Sequence, residues 1–286
     1  MNGLQTSGMK LQQLAGRDAQ RALSEDVGTG DLTAALIDSR ALAKARVLAR
    51  ERAVLCGQPW AEASARQVDA SIQLHWLVAE GGVMEPEQTI LELQGPARAL
   101  LTAERTMLNF LQLLSGVASH TAEYVHAVRG TRAKIVDTRK TLPGLREAQK
   151  YAVRVGGGHN HRMGLYDGIL IKENHIAAAG GVTPALQRAH QLAPPGVFVQ
   201  VEVETLDQLR EALAADARMV LLDNMSLAQL REAVVINAGR AELEVSGGVE
   251  LSTVRALAET GVDRISIGKL TKDVLAVDFS MRFAGV

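Results

Sequence analysis

From residue 133 onward, short apolar runs alternate with helix-like stretches, and no other feature of the chain constrains its fold as tightly. The runs are 134–137 (KIVD), 168–172 (GILIK), 197–203 (VFVQVEV), 219–223 (MVLLD), 242–246 (ELEVS) and 264–268 (RISIG). Amphipathic stretches lie between them, among them 205–215 (TLDQLREALAA), 226–236 (SLAQLREAVVI) and 251–260 (LSTVRALAET). Strand–helix–strand alternation demands parallel pairing and right-handed crossovers. Strands this apolar are buried on both faces. Six such units fit a closed or nearly closed α/β barrel better than an open sheet, with a doubly wound sheet as the alternative.

The first hundred residues have a different texture. A helix is expected over 10–25, followed by partly alternating β-rich runs at 44–55, 71–79 and 88–94, the pattern of a half-buried antiparallel sheet. Gly57-Gln-Pro59, Gly81-Gly82 and Gly95-Pro96 punctuate it. Residues 102–128 read as a helix with Thr102 as its N-cap. Met107, Phe110, Leu111, Leu114 and Val117 form its apolar stripe, and Arg105, Asn109 and Gln112 fall on a more polar face. The tail 277–283 (VDFSMRF) alternates and reads as one more strand.

Charge excludes some functions. Thirty-one Lys and Arg against 32 Asp and Glu leave a net charge of -1, without the basic excess of a general nucleic-acid binder. Cys56 is the only cysteine, so there is no disulfide framework, and a reduced cytoplasmic setting fits. No apolar run approaches the roughly 18–20 residues of a membrane span, and the N-terminal stretch has no apolar leader core.

Each barrel run ends in polar or small residues: Asp137-Thr138-Arg139-Lys140, Lys172-Glu173, Glu202 with Glu204, Asp223-Asn224, Ser246-Gly247-Gly248 and Ser266-Ile267-Gly268. Ligands of parallel α/β folds sit at these carboxyl ends. One polar end carries no weight, but six in register around a barrel mouth build a pocket. Arg139, Lys140 and Lys172 are cationic, and Arg162 lies on the connection between the first two strands. Arg and Lys grip carboxylate and phosphate oxygens. The carboxylates of Glu202 and Asp223 suit a Mg²⁺ ion that keeps its waters and a diphosphate. The glycine turns after the last strands suit a phosphate.

Other features read plainly. Gly156-Gly157-Gly158 is neither GxGxxG nor a Walker motif and reads as a flexible turn. His159, His161 and His175 lack the further ligands of a zinc site, and Cys56 is far away in sequence. A histidine here serves better as a hydrogen-bond donor to a ligand. Cys56 reads as a packed residue, Arg105 taken alone as a solvated charge, and His120 and His126 as residues without a role.

The segment DTRKTLPGLREAQKYAVRVGGGHNHRMGLYDGILIKENHI, residues 137–176, closely resembles the quinolinate phosphoribosyltransferases, also called nicotinate-nucleotide pyrophosphorylases (carboxylating). The resemblance extends in order to AERTMLNFLQLLSGVAS (103–119), VEVET (201–205), LLDNM (221–225), EVSGGVE (244–250) and ISIGKLTKDVLAVDFSMRF (265–283). It implies an N-terminal α/β sandwich over 1–115, joined by the tail 275–286, and an incomplete, open α/β barrel over 116–274. It also implies a pentosyltransferase that joins quinolinate to phosphoribosyl pyrophosphate with Mg²⁺, releasing CO₂ and diphosphate and giving nicotinate mononucleotide for de novo NAD synthesis. It implies a homodimer, or a higher oligomer built on it, whose active sites are shared across the interface, with no nucleic-acid or membrane partner.

Carried over residue by residue, Arg139, His161, Arg162 and Lys172 meet quinolinate, with Arg105 arriving from the neighbouring subunit. Thr138 belongs to the same substrate-binding set. Lys140, Glu202 and Asp223 serve the diphosphate, ribose and Mg²⁺ side, and with Lys172 they make up the catalytic set. Ser246-Gly247-Gly248 and Ser266-Ile267-Gly268 hold the 5′-phosphate. One departure is Gly248, where many members have Asn, so a side-chain amide is lost. Three rivals stay open: a paralogue on the same scaffold, either of the molybdate-operon type or a nicotinate enzyme that does not decarboxylate; a Schiff-base aldolase using Lys172; and a non-catalytic phosphate-binding barrel. The full cationic set favours the dianionic quinolinate.

Overall fold

The computed structural model describes residues 8–284; the first seven residues of the stretch read as lacking a leader, and the last two of the tail, lie outside the described residues. The chain divides into two compact units. The first holds the residues up to Ala122, the excursion Leu142–Gly157 and the tail from Asp273; the second holds Glu123–Thr141 and Gly158–Lys272. The expected barrel span of 116–274 thus contains a stretch that packs with the first unit.

In the first unit, α1 (Gly8–Asp26) precedes β1 (Leu42–Ala49), β2 (Ala53–Val54), α2 (Gln58–Val68), β3 (Gln73–Trp76), β4 (Val83–Met84) and β5 (Thr89–Pro96). α3 (Ala97–Ala127) follows directly. The tail returns as β12 (Phe279–Phe283) and pairs antiparallel with β1, with Val47 opposite Met281, giving a four-stranded sheet of order β12-β1-β5-β3. Val47, Leu91 and Leu93 of this sheet pack against Leu100, Met107, Leu108 and Leu111 of α3 in one buried core. The expected stripe of α3 is buried throughout, Phe110, Leu114 and Val117 included. Removing such side chains from water is the main stabilising term of the unit.

Thr102 is not the N-cap of α3. The helix starts five residues earlier, at Ala97, and the Thr102 hydroxyl donates within it to Arg98 O (3.0 Å) and across to Asp31 Oδ2 (2.8 Å). Cys56 is fully buried, and its thiol is pushed well up by burial and then by the Glu80 carboxylate, so it packs and does not attack.

The second unit holds six parallel strands: β6 (Lys134–Val136), β7 (Gly168–Ile171), β8 (Phe198–Val203), β9 (Met219–Asp223), β10 (Glu242–Ser246) and β11 (Arg264–Ser266). Their order is β6-β11-β10-β9-β8-β7, so the last strand pairs with the first and the opening falls between β6 and β7. His159 lies parallel to Val136 and extends the β6 edge. The helices α5 (Glu173–Ala179), α6 (Val182–Leu192), α7 (Leu206–Ala214), α8 (Leu227–Asn237), α9 (Leu251–Ala258) and α10 (Lys269–Lys272) fill the other connections. Thr205 and Ser226 start α7 and α8 with reciprocal capping boxes to Gln208 and Gln229, each satisfying two otherwise orphaned backbone donors. Among the described residues no helix is long and apolar enough to cross a membrane.

α4 (Arg146–Val155) occupies the β6–β7 connection, where the sequence reading names only a connection, and it packs in the first unit. The glycines after it are not a flexible turn. A Cβ on Gly156 would run into Ala118 O and approach Thr121 Cβ to 2.8 Å, so only glycine lets this end of α4 approach α3. Gly156→Ala is expected to cost roughly 1–3 kcal/mol of stability, read as a lower denaturation midpoint at unchanged slope.

Candidate active site

The candidate site is built where β6 and β11 meet. Parallel pairing sets Ile135 beside Ile265 and Val136 beside Ser266, which brings the turn after β6 next to the turn after β11. Thr138 Oγ1 accepts from Lys140 N (3.1 Å), and Thr271 Oγ1 donates to Lys140 O (2.8 Å). A Cβ on Gly268 would stand 2.9 Å from Lys140 Cδ. Glycine is therefore needed for the lysine stem to lie where it does.

Asp137, fully buried, organises the next segment. Its Oδ1 accepts from His161 N (2.8 Å) and its Oδ2 from Asn160 Nδ2 (2.6 Å). His161 and Arg162 are thereby held at the β6 edge. Arg162 Nη1 donates to Gly168 O (2.9 Å) at the start of β7. Burial, and then the neighbouring Arg139 charge, push the Arg162 guanidinium down from its ordinary value. Two guanidinium groups near enough to feel each other's charge favour a nearby anion.

Both ring nitrogens of His161 have partners within the protein. Its Nδ1 accepts from Arg162 N (2.8 Å), and its Nε2 lies 2.7 Å from Gln200 Oε1. In the free protein, its own backbone neighbour and the barrel interior thus supply partners to both ring nitrogens.

At the end of β7, Lys172 Nζ lies 3.1 Å from Glu202 Oε2. Burial raises the Glu202 carboxyl; Lys172 pulls it down, and the charges of Asp223 and Glu173 push it up again. Lys172 N also donates to His175 Nδ1 (3.0 Å), which fixes the start of α5. Asp223 Oδ2 accepts from Asn224 Nδ2 (2.9 Å), and Asn224 sits at φ 53 in the turn after β9. Gly247, at φ 101, has no room for a Cβ, which would run into Asn224 Oδ1, whereas a Cβ on Gly248 (φ 56) would meet nothing within 4 Å. The Gly248 departure thus leaves open space beside the turn.

The β11 turn differs from expectation in one respect. Ile267 N donates to Val136 O (2.9 Å) and the Ser266 hydroxyl to Val245 O (3.2 Å). Both donors are used by the sheet, so Ser266 and Ile267 do not offer them to a phosphate. Arg105 is exposed on α3 in the first unit, beside Glu104. Among the described residues, no group of three or more His, Cys, Asp or Glu side chains is arranged to hold a metal.

The interior beneath the mouth was not foreseen. Gln200, Glu244 and Arg264 face one another inside the strands, with Gln200 and Glu244 buried. The signal was available: polar residues at every second position of VQVEV and ELEVS mark an inward polar face.

Two family models match, quinolinate phosphoribosyl transferase N-terminal domain over residues 31–115 and C-terminal domain over residues 117–282. The chain is 44% identical over 275 residues to a nicotinate-nucleotide pyrophosphorylase [carboxylating] of Mycobacterium leprae, covering 93% of this chain and 96% of that one. It is 40% identical over 283 residues to a Nicotiana glauca quinolinate phosphoribosyltransferase [decarboxylating], covering 92% and 80%. A solved nicotinate-nucleotide pyrophosphorylase from Francisella tularensis superposes with a TM-score of 0.92 at 45% identity, covering 95% and 96%.

Removing Lys172 takes away the nearest positive charge on Glu202, and neutralising Asp223 takes away a negative one. Lys172→Met is expected to raise the Glu202 titration midpoint further, and Asp223→Asn to lower it, read by ¹³C NMR of labelled glutamate carboxyls. Because the folded value is raised, the stability that goes with Glu202 is complete below the ordinary carboxylate range. It is lost as pH rises through the raised value.

Proposed function

The chain belongs to the quinolinate phosphoribosyltransferase family, and on that premise we propose how its strand-end residues join quinolinate to phosphoribosyl pyrophosphate. The reaction is a decarboxylating pentosyl transfer that gives nicotinate mononucleotide, CO₂ and diphosphate for de novo NAD synthesis. The names carboxylating pyrophosphorylase and decarboxylating phosphoribosyltransferase describe this one reaction read in opposite directions. The observation that carries the reading is the Arg139–Arg162 pair, two cations brought together in a chain whose net charge is only -1.

Quinolinate carries two carboxylates, and the second substrate several phosphate charges. Arg139, Arg162 and Lys172 offset the first, with Arg105 supplied by the partner of a homodimer. Glu202 exchanges its ion pair with Lys172 for the ribose hydroxyls as the lysine turns to a quinolinate carboxylate. Lys140 faces the departing diphosphate and stabilises the charge that grows there. The pyridine nitrogen is the nucleophile, so no protein nucleophile is required. Lys172, ion-paired to Glu202, does not have the free amine that a Schiff-base aldolase needs. Ribosylation places a positive charge on the nitrogen, which stabilises the carbanion left when the adjacent carboxylate departs as CO₂. The protein's share is orientation and charge.

Magnesium fits as an ion held by few protein groups. Glu202 and Asp223 are two carboxylates and not a cage, which suits a cation that keeps several waters and rides on phosphate oxygens. When bound, it neutralises the diphosphate. Gly247, Gly248 and Gly268 are the backbone positions assigned to the 5′-phosphate, with the Ser246 side chain. A buried, reduced Cys56 is compatible with the cytoplasm.

Glu202→Ala and Asp223→Ala are expected to lower kcat/KM for phosphoribosyl pyrophosphate about a hundredfold or more, with quinolinate affinity by calorimetry little changed. CO₂ release from the two substrates is the assay; no release from the wild-type protein would overturn the reading. Loss of quinolinate affinity with Mg²⁺-dependent diphosphate release intact would overturn the roles of the two carboxylates.

Arg105 acting in trans makes a separate expectation. Arg105→Ala and Arg139→Ala are each expected to be inactive alone. In a mixed dimer one site has lost both residues and the other has neither loss, since an isologous interface shares residues reciprocally. Equal mixing makes about half the dimers mixed, so about a quarter of wild-type activity should return. If subunits exchange and no activity returns, Arg105 serves its own chain or none.

A further inference from the structure

We infer that Gln200 and Glu244, inside the barrel beneath the substrate pocket, are positioning residues that hold His161 in its Nε2–H tautomer and, through it, the backbone of Arg162. The inference rests on the quinolinate-binding role proposed for Arg162.

The contacts form one cluster, in which Glu244 Oε2 also approaches His161 Nε2 directly, at 3.8 Å. Glu244 Oε2 lies 3.0 Å from Arg264 Nε, at an angle that makes an ion pair and not a hydrogen bond. The same oxygen accepts from Gln200 Nε2 at 3.2 Å. Gln200 Oε1 lies 2.7 Å from His161 Nε2, and His161 Nδ1 accepts from Arg162 N at 2.8 Å. Phe198 packs edge-on against the imidazole, with ring centroids 5.4 Å apart.

Donor–acceptor chemistry fixes the direction of every link. A carboxylate only accepts, so Gln200 must turn its NH₂ toward Glu244 and its carbonyl toward His161. A carbonyl only accepts, so His161 Nε2 must carry the proton. Nδ1 is then a lone pair, and it takes the Arg162 backbone N–H. The far end imposes the same polarity independently: a proton on Nδ1 would face the Arg162 N–H, donor against donor. Gln200 and Glu244 are buried, so a reversed link would leave unmatched groups away from water. The next atoms along the chain belong to Arg162, whose Nη1 is tied to Gly168 O. Through these links Gln200 and Glu244 act on the residue proposed to meet the dianion.

The test has two readouts. The first is ¹⁵N NMR of histidine-labelled free protein at pH 8, with His161 assigned by its loss in His161→Asn. The expected pattern is Nε2 protonated and Nδ1 not. A protonated Nδ1, or a fast-exchanging mixture, overturns the inference. This readout does not depend on the reaction, so it stands even if no CO₂ is released and the functional reading fails.

The second is kinetic. Gln200→Leu is expected to raise KM for quinolinate about tenfold, the size of one lost hydrogen bond, while KM for phosphoribosyl pyrophosphate stays within about twofold. Equal effects on both substrates, or none, overturn it. The exchange Gln200→Glu with Glu244→Gln again presents an acceptor to His161 and is expected to restore both the tautomer and the KM. A folded exchanged variant that restores neither overturns it. If the leucine or exchanged protein does not fold, the wild-type tautomer decides.

Discussion

The site depends on the parallel pairing of β6 with β11, first barrel strand with last. Ile135 beside Ile265 and Val136 beside Ser266 are only a few rungs. They nevertheless make residues far apart in sequence neighbours: the Thr138–Lys140 turn meets Gly268 and Thr271, and the Lys140 carbonyl takes the Thr271 hydroxyl. This pairing also occupies two donors of the turn, Ile267 N and the Ser266 hydroxyl. Sheet closure and ligand binding compete for the same backbone, and at this turn closure wins.

Because closure is made on that side, the sheet is open on the other, between β6 and β7. An ordinary crossover helix would close it. Here the connection leaves the second unit after Thr141, forms α4 in the first, and returns at Gly158. On its return it runs along β6 at His159, and the buried Asp137 carboxylate fastens its next two residues. His161 and Arg162 thus stand at the open edge as part of the wall. A residue on a free loop would lose much more entropy on binding a substrate.

Much of this was legible from residues alone. The six runs become β6 to β11 within a residue or two, because apolar β-rich segments between capped amphipathic helices leave few alternatives. The stripe of α3 was legible for the same reason. α4 was not: its buried face includes Gln149 and Lys150, so polarity hid a packed helix. Thr102 misled because a threonine before an apolar stripe looks like a cap, yet the helix had started at Ala97. The cations and carboxylates of the mouth could be named from strand ends, and the resemblance assigned their roles. The use of His161 could not be read, since H-x-H spacing does not say which atoms face each ring nitrogen. That depends on Gln200 and Glu244, which are distant in sequence.

The polar interior explains how the mouth can carry so much positive charge. Arg139 and Arg162 repel each other, and Arg162 is further penalised by burial. The Asp167 carboxylate offsets part of that penalty. Neutral and backbone links add to it: Arg162 Nη1 to Gly168 O, and Arg162 N to an imidazole whose far side leads down to Glu244. A second carboxylate, Glu244, lies inward, where it pairs with Arg264 and orients the Gln200 amide. Glu202 is different. It pairs directly with Lys172 at the mouth, so that lysine's charge becomes available only when the pair opens. Arg162 is thus held through neutral links among others, whereas Lys172 is held by a charged one.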